Sequence, residues 1–189
     1  MFYFDLGSPY SYLAAERINS LLPEPPLWQP ILLGGLFKLH GRRSWAEGEG
    51  RAAGMHEVER RAALYGLPPV RWPEPWPGNM LLAMRAATFA AQIGKVVSFS
   101  LAAFRQAFAA GRDLSVQDNV MLAAAACELH PRALSTAVGS KGIKDRLRAA
   151  TEHAAERGVI GVPTVAIGDE LFWGDDRLDD AAKTLAAAR

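Results

Sequence analysis

Residues 2–13 read FYFDLGSPYSYL, and this stretch determines how the fold begins. Phe2–Leu6 is a short run rich in aromatic side chains that ends at Gly7, as expected of a strand buried on both faces. Ser8 and Pro9 follow directly. Serine is a favoured helix N-cap, and proline fits the first helical position because no N–H is needed there. The stretch therefore predicts a strand, a tight turn and a helix.

A second strand and a long helical block are predicted after this first helix. Leu27–Leu33 (LWQPILL) has the composition of a strand, with Pro30 indicating an edge or a bulge. Alanine-rich helical patterns then follow one another, and several of them stop at a glycine, which is a frequent helix end. The helices expected in this block are Glu57–Tyr65, Met80–Ile93, Phe99–Ala110 and Asn119–Leu129, the last of them capped by Asp118.

One segment of the helical block is rich in proline. Pro68–Asn79 (PPVRWPEPWPGN) holds five prolines and two tryptophans. Because proline lacks an N–H and breaks helices, this segment is expected to be an extended connection. Its tryptophans, Trp72 and Trp76, are expected to pack over the rest of the protein.

The end of the chain returns to mixed structure. Ser140–Arg157 is an amphipathic pattern ended by Gly158, and it predicts a helix. Thr164–Ile167 and Leu171–Trp173 flank a glycine-containing turn and predict a β-hairpin. A last helix is expected from about Arg177 to Ala188.

The order of these elements predicts an α/β fold with a discontinuous domain. Residues 1–33 and 140–189 form a thioredoxin-like domain in this interpretation, and residues 34–139 form an all-helical insertion domain. The length of 189 residues suits one compact unit interrupted by a second.

Composition limits the function classes. The formal net charge is only +1, which argues against a nucleic-acid or anionic-membrane partner. No apolar run approaches a span of about 20 residues, and the start does not resemble a signal peptide, so a cytoplasmic protein is expected. Cys127, the single cysteine, is expected to be a buried helix-core thiol. The four histidines lack metal-ligand spacing, so no metal site is expected.

Ser8 is the first candidate site residue. It lies where a strand meets a helix, and the N–H groups of a helix start stabilise a nearby anion. A hydroxyl at this position can also donate a hydrogen bond to a thiolate. The alternative is that Ser8 is only an N-cap, since Ser-Pro is a common helix start.

Two further segments, from the other end of the chain, carry candidate binding residues. A cis Val162–Pro163 bond would leave the backbone of Val162 free to pair with a peptide-like ligand, although most such bonds are trans. Asp175 and Asp176 lie at a predicted helix start and could hold a ligand ammonium group. The alternative is that Asp176 is a plain N-cap.

Together these segments resemble the 2-hydroxychromene-2-carboxylate isomerase family, within the DsbA-like group that includes kappa-class glutathione transferases. The resemblance spans nearly the whole chain, because the matching segments occur in the same order with helices between them. The segments that carry it are FYFDLGSPYSYL (2–13), LLGGLFK (32–38), GVIGVPT (158–164) and FWGDDR (172–177).

The resemblance implies glutathione bound between the two domains and a small aromatic-derived substrate. By family analogy, Ser8 donates a hydrogen bond to the glutathione sulfur. Pro163 is cis, and Val162 pairs through its backbone with the cysteinyl part of glutathione. Asp175 and Asp176 meet the γ-glutamyl end. The family's reaction interconverts a cyclic hydroxychromene carboxylate and an open-chain benzylidenepyruvate, and a homodimer is compatible with the resemblance.

The sequence also departs from the family. Relatives commonly have an asparagine, and often a lysine, after the LFK-like stretch, whereas residues 39–51 here contain no asparagine. His40, Ser44 or Trp45 could substitute. Asn79 and Arg85 could face the cleft, and a buried structural role is an equal alternative.

Two other functions are compatible with parts of this pattern, and a third is disfavoured. A kappa-class-like glutathione transferase or peroxidase would use the same thiolate on another electrophile, and a non-catalytic thioredoxin-fold module would use Ser8 only as a cap. A protein-folding factor is disfavoured, because Ser8 and Ser11 occupy the positions where oxidoreductases of the wider group carry cysteines. Dithiol–disulfide exchange by this chain is therefore excluded at that site.

Overall fold

The computed structural model of the chain describes residues 1–187, and its strands form one mixed four-stranded sheet in the order β2-β1-β3-β4. β1 pairs in parallel with β2 and antiparallel with β3, and β3 and β4 form the predicted hairpin. The two ends of the chain therefore meet in the centre of the sheet. The strands are β1 (Phe2–Phe4), β2 (Trp28–Pro30), β3 (Thr164–Ile167) and β4 (Glu170–Trp173).

Helices connect and cover the sheet. A π-helical segment continues α5, and short 3-10 turns, at residues 45–47 and 175–177, precede α3 and α9. The α-helices are α1 (Pro9–Leu21), α2 (Leu33–Leu39), α3 (Arg51–Leu64), α4 (Leu81–Gln92), α5 (Val96–Phe104), α6 (Gln117–Ala126), α7 (Pro131–Gly139), α8 (Lys141–Glu156) and α9 (Leu178–Ala187).

The start of α1 is as predicted. Ser8 is the N-cap, and its hydroxyl oxygen accepts a hydrogen bond from the Ser11 N–H at 3.2 Å. Pro9 occupies the first turn, where its missing N–H removes no helical hydrogen bond.

The second strand is shorter than predicted. Leu27–Leu33 was expected to be extended throughout, but β2 ends at Pro30 and α2 begins at Leu33. The N–H of Leu32 donates to Thr151 Oγ1 at 3.0 Å, and the N–H of Leu33 donates to Asp5 Oδ2 at 2.7 Å. Since these side chains bind the main-chain donors, the strand ladder does not continue.

The predicted helix ends at glycines are confirmed, and one predicted cap is wrong. Gly66, Gly94 and Gly111 have positive φ and follow helical segments. Asp118 does not cap α6. Val116 is the N-cap, and Asp118 lies within the first helical turn because the Asn119 N–H already bonds to the Val116 carbonyl.

The bounds of two predicted helices also need adjustment. α6 ends at Ala126 rather than Leu129, since Glu128 has φ of 56°. α9 begins at Leu178, and Ala188, the predicted end of this helix, lies outside the described residues.

Aromatic side chains join the sheet to the helices. The Phe4 ring lies 5.4 Å from Trp28 and 5.9 Å from Phe104, measured between ring centroids. In the proline-rich segment, the ring of Trp72 lies 4.6 Å from that of Trp76 and 6.1 Å from that of Phe108. The tryptophans of the extended connection therefore pack over the helical part, as predicted.

The core is shared by the sheet and the helical block. One buried cluster extends from Phe2 and Phe4 to side chains of α4, α5 and α6. The division into two domains stays a prediction from the sequence. The last two residues of the predicted thioredoxin-like domain, 188 and 189, lie outside the residues that the structure describes. Cys127 is buried in this cluster at the end of α6. Within residues 1–187, no helix is long and apolar enough to cross a membrane.

Phe104 offers a test of this shared core. Phe104→Ala removes a fully buried ring that contacts both Phe4 and Tyr12. We expect the free energy of unfolding to fall by about 3–5 kcal/mol, from lost burial and the cavity left behind. Urea unfolding measures this, with Leu64→Ala as the control. Leu64 is 69% exposed, so its truncation should change stability by at most about 0.5 kcal/mol. Equal effects of the two substitutions would contradict the packing.

Candidate active site

A cavity of about 700 Å³ lies where the two ends of the chain meet the helical block. Ser8 and Asp5 line it from the N-terminal side, and Val162, Pro163 and Asp176 line it from the C-terminal side. A cavity of this size is typical of small-molecule sites. The fold therefore brings the three predicted site segments to one place.

Ser8 is buried at the base of this cavity. Its exposure is 4%, and its hydroxyl lies 3.4 Å from the carbonyl oxygen of Val162. This distance is long for an O–H···O hydrogen bond, so the hydroxyl proton is only weakly held by Val162. Ser8 is an N-cap and also a hydroxyl presented to a cavity, and the two interpretations from the sequence do not exclude each other.

The Val162–Pro163 peptide bond is cis, as the family resemblance implies. The Pro163 carbonyl accepts a hydrogen bond from the Gly174 N–H at 2.9 Å, and Thr164 Oγ1 donates to the Gly161 carbonyl at 2.7 Å. These contacts fix the backbone on both sides of Val162. Within residues 1–187, the Val162 N–H itself has no hydrogen-bond partner.

Asp175 and Asp176 differ sharply in their surroundings. The Asp175 carboxylate is buried and accepts hydrogen bonds from the Arg61 guanidinium at 2.8 Å and the Tyr65 hydroxyl at 2.9 Å. Burial raises the pKa of Asp175, and the charge of Arg61 opposes that effect. Asp176 is exposed, with one carboxylate oxygen 3.4 Å from Arg61. Asp176 thus presents a more available carboxylate to the cavity than Asp175, and the predicted binding role of both stays a prediction.

Asp5 was not recognised as a site residue from the sequence. Its carboxylate is buried, with Oδ1 accepting from the Gly7 N–H and Oδ2 from the Leu33 N–H, each at 2.7 Å. The carboxylate therefore ties the Ser8 turn to the start of α2. Burial raises the pKa of Asp5 to about 6, although the two N–H groups favour the charged form. Nothing in the sequence distinguishes Asp5 from an ordinary strand-end aspartate.

Aromatic side chains of the helical block, together with Tyr10 of α1, form one wall of the cavity. Trp45 lies 5.9 Å from Tyr10 and 5.3 Å from Trp76, and all three line the cavity. Trp76 also donates a hydrogen bond from Nε1 to the Gly7 carbonyl at 3.3 Å. The wall is therefore anchored to the turn that carries Ser8. Gly54 of α3 lies directly against the Trp45 ring.

The structure separates the loop residues that were left as alternatives. Ser44 and Trp45 line the cavity, whereas His40 does not, since its Nε2 is engaged with the Val159 carbonyl at 2.9 Å. Arg42 and Arg43 line it as well, and Arg42 donates to the Ile160 carbonyl at 2.9 Å. Both arginines are exposed at the edge of the cavity.

The two residues after the proline-rich segment have different positions. Asn79 lines the cavity, and its Oδ1 accepts a hydrogen bond from the Leu81 N–H at 3.0 Å. Arg85 lies one turn further along α4, in a smaller adjoining pocket. Among residues 1–187, no group of three or more His, Cys, Asp or Glu side chains is arranged to hold a metal ion.

Comparison with known proteins agrees with this geometry. The DSBA-like thioredoxin domain family matches residues 1–186. The 2-hydroxychromene-2-carboxylate isomerase of Sphingobium xenophagum is 30% identical, with 94% of this chain and 93% of that protein covered. The protein of the same name from Pseudomonas putida is 28% identical, over 94% of this chain and 89% of that one.

Solved structures show the same fold. A 2-hydroxychromene-2-carboxylate isomerase superposes with a TM-score of 0.89 at 23% identity, over 99% of this chain and 94% of that chain. A probable DsbA oxidoreductase from Streptomyces coelicolor superposes with a TM-score of 0.76 at 19% identity, over 100% and 89% of the two chains.

Fold and cavity thus define a thioredoxin-type protein whose sheet carries a helical block. The chain belongs to the DSBA-like thioredoxin domain family and, within it, to the family of 2-hydroxychromene-2-carboxylate isomerases. It is therefore an enzyme of the isomerase type.

The buried carboxyl group of Asp5 predicts a pH dependence of stability. The pKa of Asp5 is about 6 in the folded protein, whereas the ordinary pKa of an aspartate is 3.8. Folding therefore favours the protonated form of this carboxyl group. Relative to Asp5→Asn, the native protein should lose about 2 kcal/mol of unfolding free energy as the pH rises from about 4 to about 7. Urea unfolding of both proteins across this range measures the difference. A difference that is constant or grows with pH would contradict the burial argument.

The close approach of Gly54 to Trp45 predicts an unusual effect of an alanine in a helix. Glycine to alanine inside a helix ordinarily stabilises by about 1 kcal/mol. A Cβ at position 54 would overlap the Trp45 ring, so Gly54→Ala should lower stability instead. Gly142 of α8 is the matched control, because a Cβ there meets nothing within 4 Å, and Gly142→Ala should stabilise. Denaturant unfolding distinguishes the two, and stabilisation by both would disprove the close packing.

Proposed function

We propose that this protein is a glutathione-dependent isomerase of 2-hydroxychromene-2-carboxylate-type substrates in the breakdown of aromatic compounds. The observation that carries the proposal is the Ser8 hydroxyl at the N-terminus of α1, facing the 700 Å³ cavity beside Val162. The names of the curated relatives, at up to 30% identity along nearly the whole chain, supply the substrate type.

The surroundings of Ser8 suit a thiolate. The hydroxyl already accepts the Ser11 N–H, and its own proton is engaged only by the 3.4 Å contact with Val162. It can therefore turn its proton toward an anion at little cost. The N–H groups of the first turn of α1 add the positive end of a helix dipole.

The energy required is within reach of these two effects. A thiol with an ordinary pKa of about 8.5 is half-ionised at pH 7 only if its pKa falls to about 7, a change of about 2 kcal/mol. One hydrogen bond to a charged group supplies about 1.5–3 kcal/mol, and a helix N-terminus adds about 0.3–1 kcal/mol. A buried hydroxyl at a helix start is therefore sufficient in principle.

The neighbouring backbone suits a peptide-like cofactor. Val162 presents its carbonyl group next to Ser8, and its N–H has no hydrogen-bond partner among residues 1–187. The hydrogen bond from the Gly174 N–H to the Pro163 carbonyl holds this segment in place directly before β3. An extended ligand can pair with such a segment as an added strand does. We assign the cysteinyl part of glutathione to Val162 and Pro163 on this basis.

The γ-glutamyl end is assigned to the turn after β4. Asp176 offers an exposed carboxylate for an ammonium group. Asp175 is committed to Arg61 and Tyr65, so it contributes by holding this turn against α3. Arg61 then balances the negative charge of both aspartates at the cavity edge.

The aromatic wall suits the proposed substrate. Glutathione, when bound, supplies a thiolate that adds to a conjugated double bond and departs after rotation about the resulting single bond. Tyr10, Trp45 and Trp76 offer flat apolar surfaces to an aromatic ring, which orient it relative to Ser8 and exclude water. We place the reaction in the cytoplasm, where thiols are kept reduced.

Ser8→Ala tests the proposed activation of the thiol. We expect the pKa of bound glutathione to lie below about 8.5 in the native protein and to rise by about one unit in Ser8→Ala, since one charge-assisted hydrogen bond is lost. The ultraviolet absorbance of the thiolate, followed as the pH is varied, measures this, and calorimetry measures binding.

Ser11→Ala is the matched control for this measurement. Its hydroxyl is fully buried, does not line the cavity and has no hydrogen-bond partner among residues 1–187. Its removal should leave the thiol pKa unchanged. The proposal would be contradicted if the thiol pKa were identical in the native protein and in Ser8→Ala. It would also be contradicted if the native protein did not bind glutathione at millimolar concentration.

A further inference from the structure

Beside the main cavity lies a smaller pocket of about 210 Å³, whose lining includes Arg85. Its lining residues are Asn79, Leu81, Leu82, Arg85 and Ser115. Asn79 and Leu81 also line the main cavity, so the two spaces adjoin at these residues. Arg85 thus lies in a pocket that borders the Ser8 cavity along Asn79 and Leu81.

The guanidinium of Arg85 is uncompensated in the described part of the chain. Its Nε is buried and has no hydrogen-bond partner, and residues 1–187 place no carboxylate within ion-pair distance of it. A buried donor of a charged group without a partner is costly, so Arg85 gains from any acceptor that enters the pocket. The fork of N–H groups on arginine matches the geometry of a carboxylate.

Asp113, which contacts Ser115 of this pocket, is committed to its own loop. Asp113 binds the backbone N–H of Ser115 at 2.8 Å and the Ser115 hydroxyl at 2.5 Å, and its backbone carbonyl accepts from Asn119 at 2.8 Å. Asp113 thus organises the loop before α6 and does not line the smaller pocket. Arg85 supplies the charge that this pocket presents to a ligand.

We propose that Arg85, with the side-chain amide of Asn79 beside it, forms a carboxylate-binding subsite for the substrate whose body occupies the Ser8 cavity. The leucines at positions 81 and 82 provide the apolar surface between this subsite and the aromatic wall. The subsite makes Arg85 a specificity-determining residue, since it selects aryl-alkenyl acids over their neutral analogues. This inference rests on the proposed function for the identity of the substrate, but the binding it predicts does not require glutathione.

The test uses two probes that differ only in charge, 2-hydroxycinnamate and its primary amide, titrated without glutathione. Tryptophan fluorescence reports binding, because Trp45, Trp76 and Trp173 line the main cavity. We expect the native protein to bind the acid about tenfold more tightly than the amide, as one charged hydrogen-bonding pair provides. Arg85→Gln should remove this preference, and Arg85→Lys should retain part of it.

Matched variants and a second titration separate the possible outcomes. Arg112→Gln controls for loss of a positive charge, since Arg112 is exposed and lines neither pocket. Three results would overturn the subsite. Arg85→Gln could keep the preference for the acid, the native protein could bind the acid and the amide equally well, or the acid could show no measurable binding. Calorimetry with S-methylglutathione distinguishes the other source of a carboxylate: weaker binding to Arg85→Gln would assign Arg85 to the cofactor and overturn the proposal. The two proposals can fail separately. If the native protein prefers the acid through Arg85 but does not lower the pKa of the glutathione thiol, the subsite stands and the proposed function is rejected.

Discussion

Met1 and Ala166 exchange two main-chain hydrogen bonds, of 2.9 Å and 2.8 Å, across 165 residues of chain. This pairing fixes β1 against β3 in the middle of the sheet. Because β1 is only three residues long, the turn that follows it delivers Ser8 directly to the carbonyl of Val162. The other parts of the site lie around Ser8 and Val162. The site therefore depends on the pairing of the two ends of the chain.

The helical block forms the part of the cavity that the sheet does not supply. Arg61 and Tyr65 of α3 and its following turn hold the carboxylate of Asp175, and the aromatic wall is anchored through Trp76 to the backbone of Gly7. These contacts run between the helical block and the two segments that carry the predicted glutathione-binding residues. The block therefore shapes the cavity and also holds its two edges together. Its departure from the family pattern, in residues 39–51, falls in a loop whose Ser44 and Trp45 line the cavity.

Much of the fold follows from local rules in the sequence. The Ser8-Pro9 helix start, the glycine stops and the terminal hairpin depend on neighbours within a few residues, and all three are confirmed. The second strand was predicted too long because its end is set by Thr151 and Asp5, whose side chains reach it from distant parts of the chain. The same limit explains the missed site residues. The burial of Asp5 and the position of Arg42 over the cavity arise from tertiary contacts that no local pattern records.

The most direct test of the central claim is turnover of 2-hydroxychromene-2-carboxylate by the purified protein, with and without glutathione, followed as the open-chain benzylidenepyruvate appears. The account predicts that interconversion requires glutathione and slows by up to about tenfold at pH 7 in Ser8→Ala, because a thiol pKa about one unit higher lowers the thiolate fraction by that factor. Equal rates in the absence of glutathione, or unchanged turnover in Ser8→Ala, would contradict it.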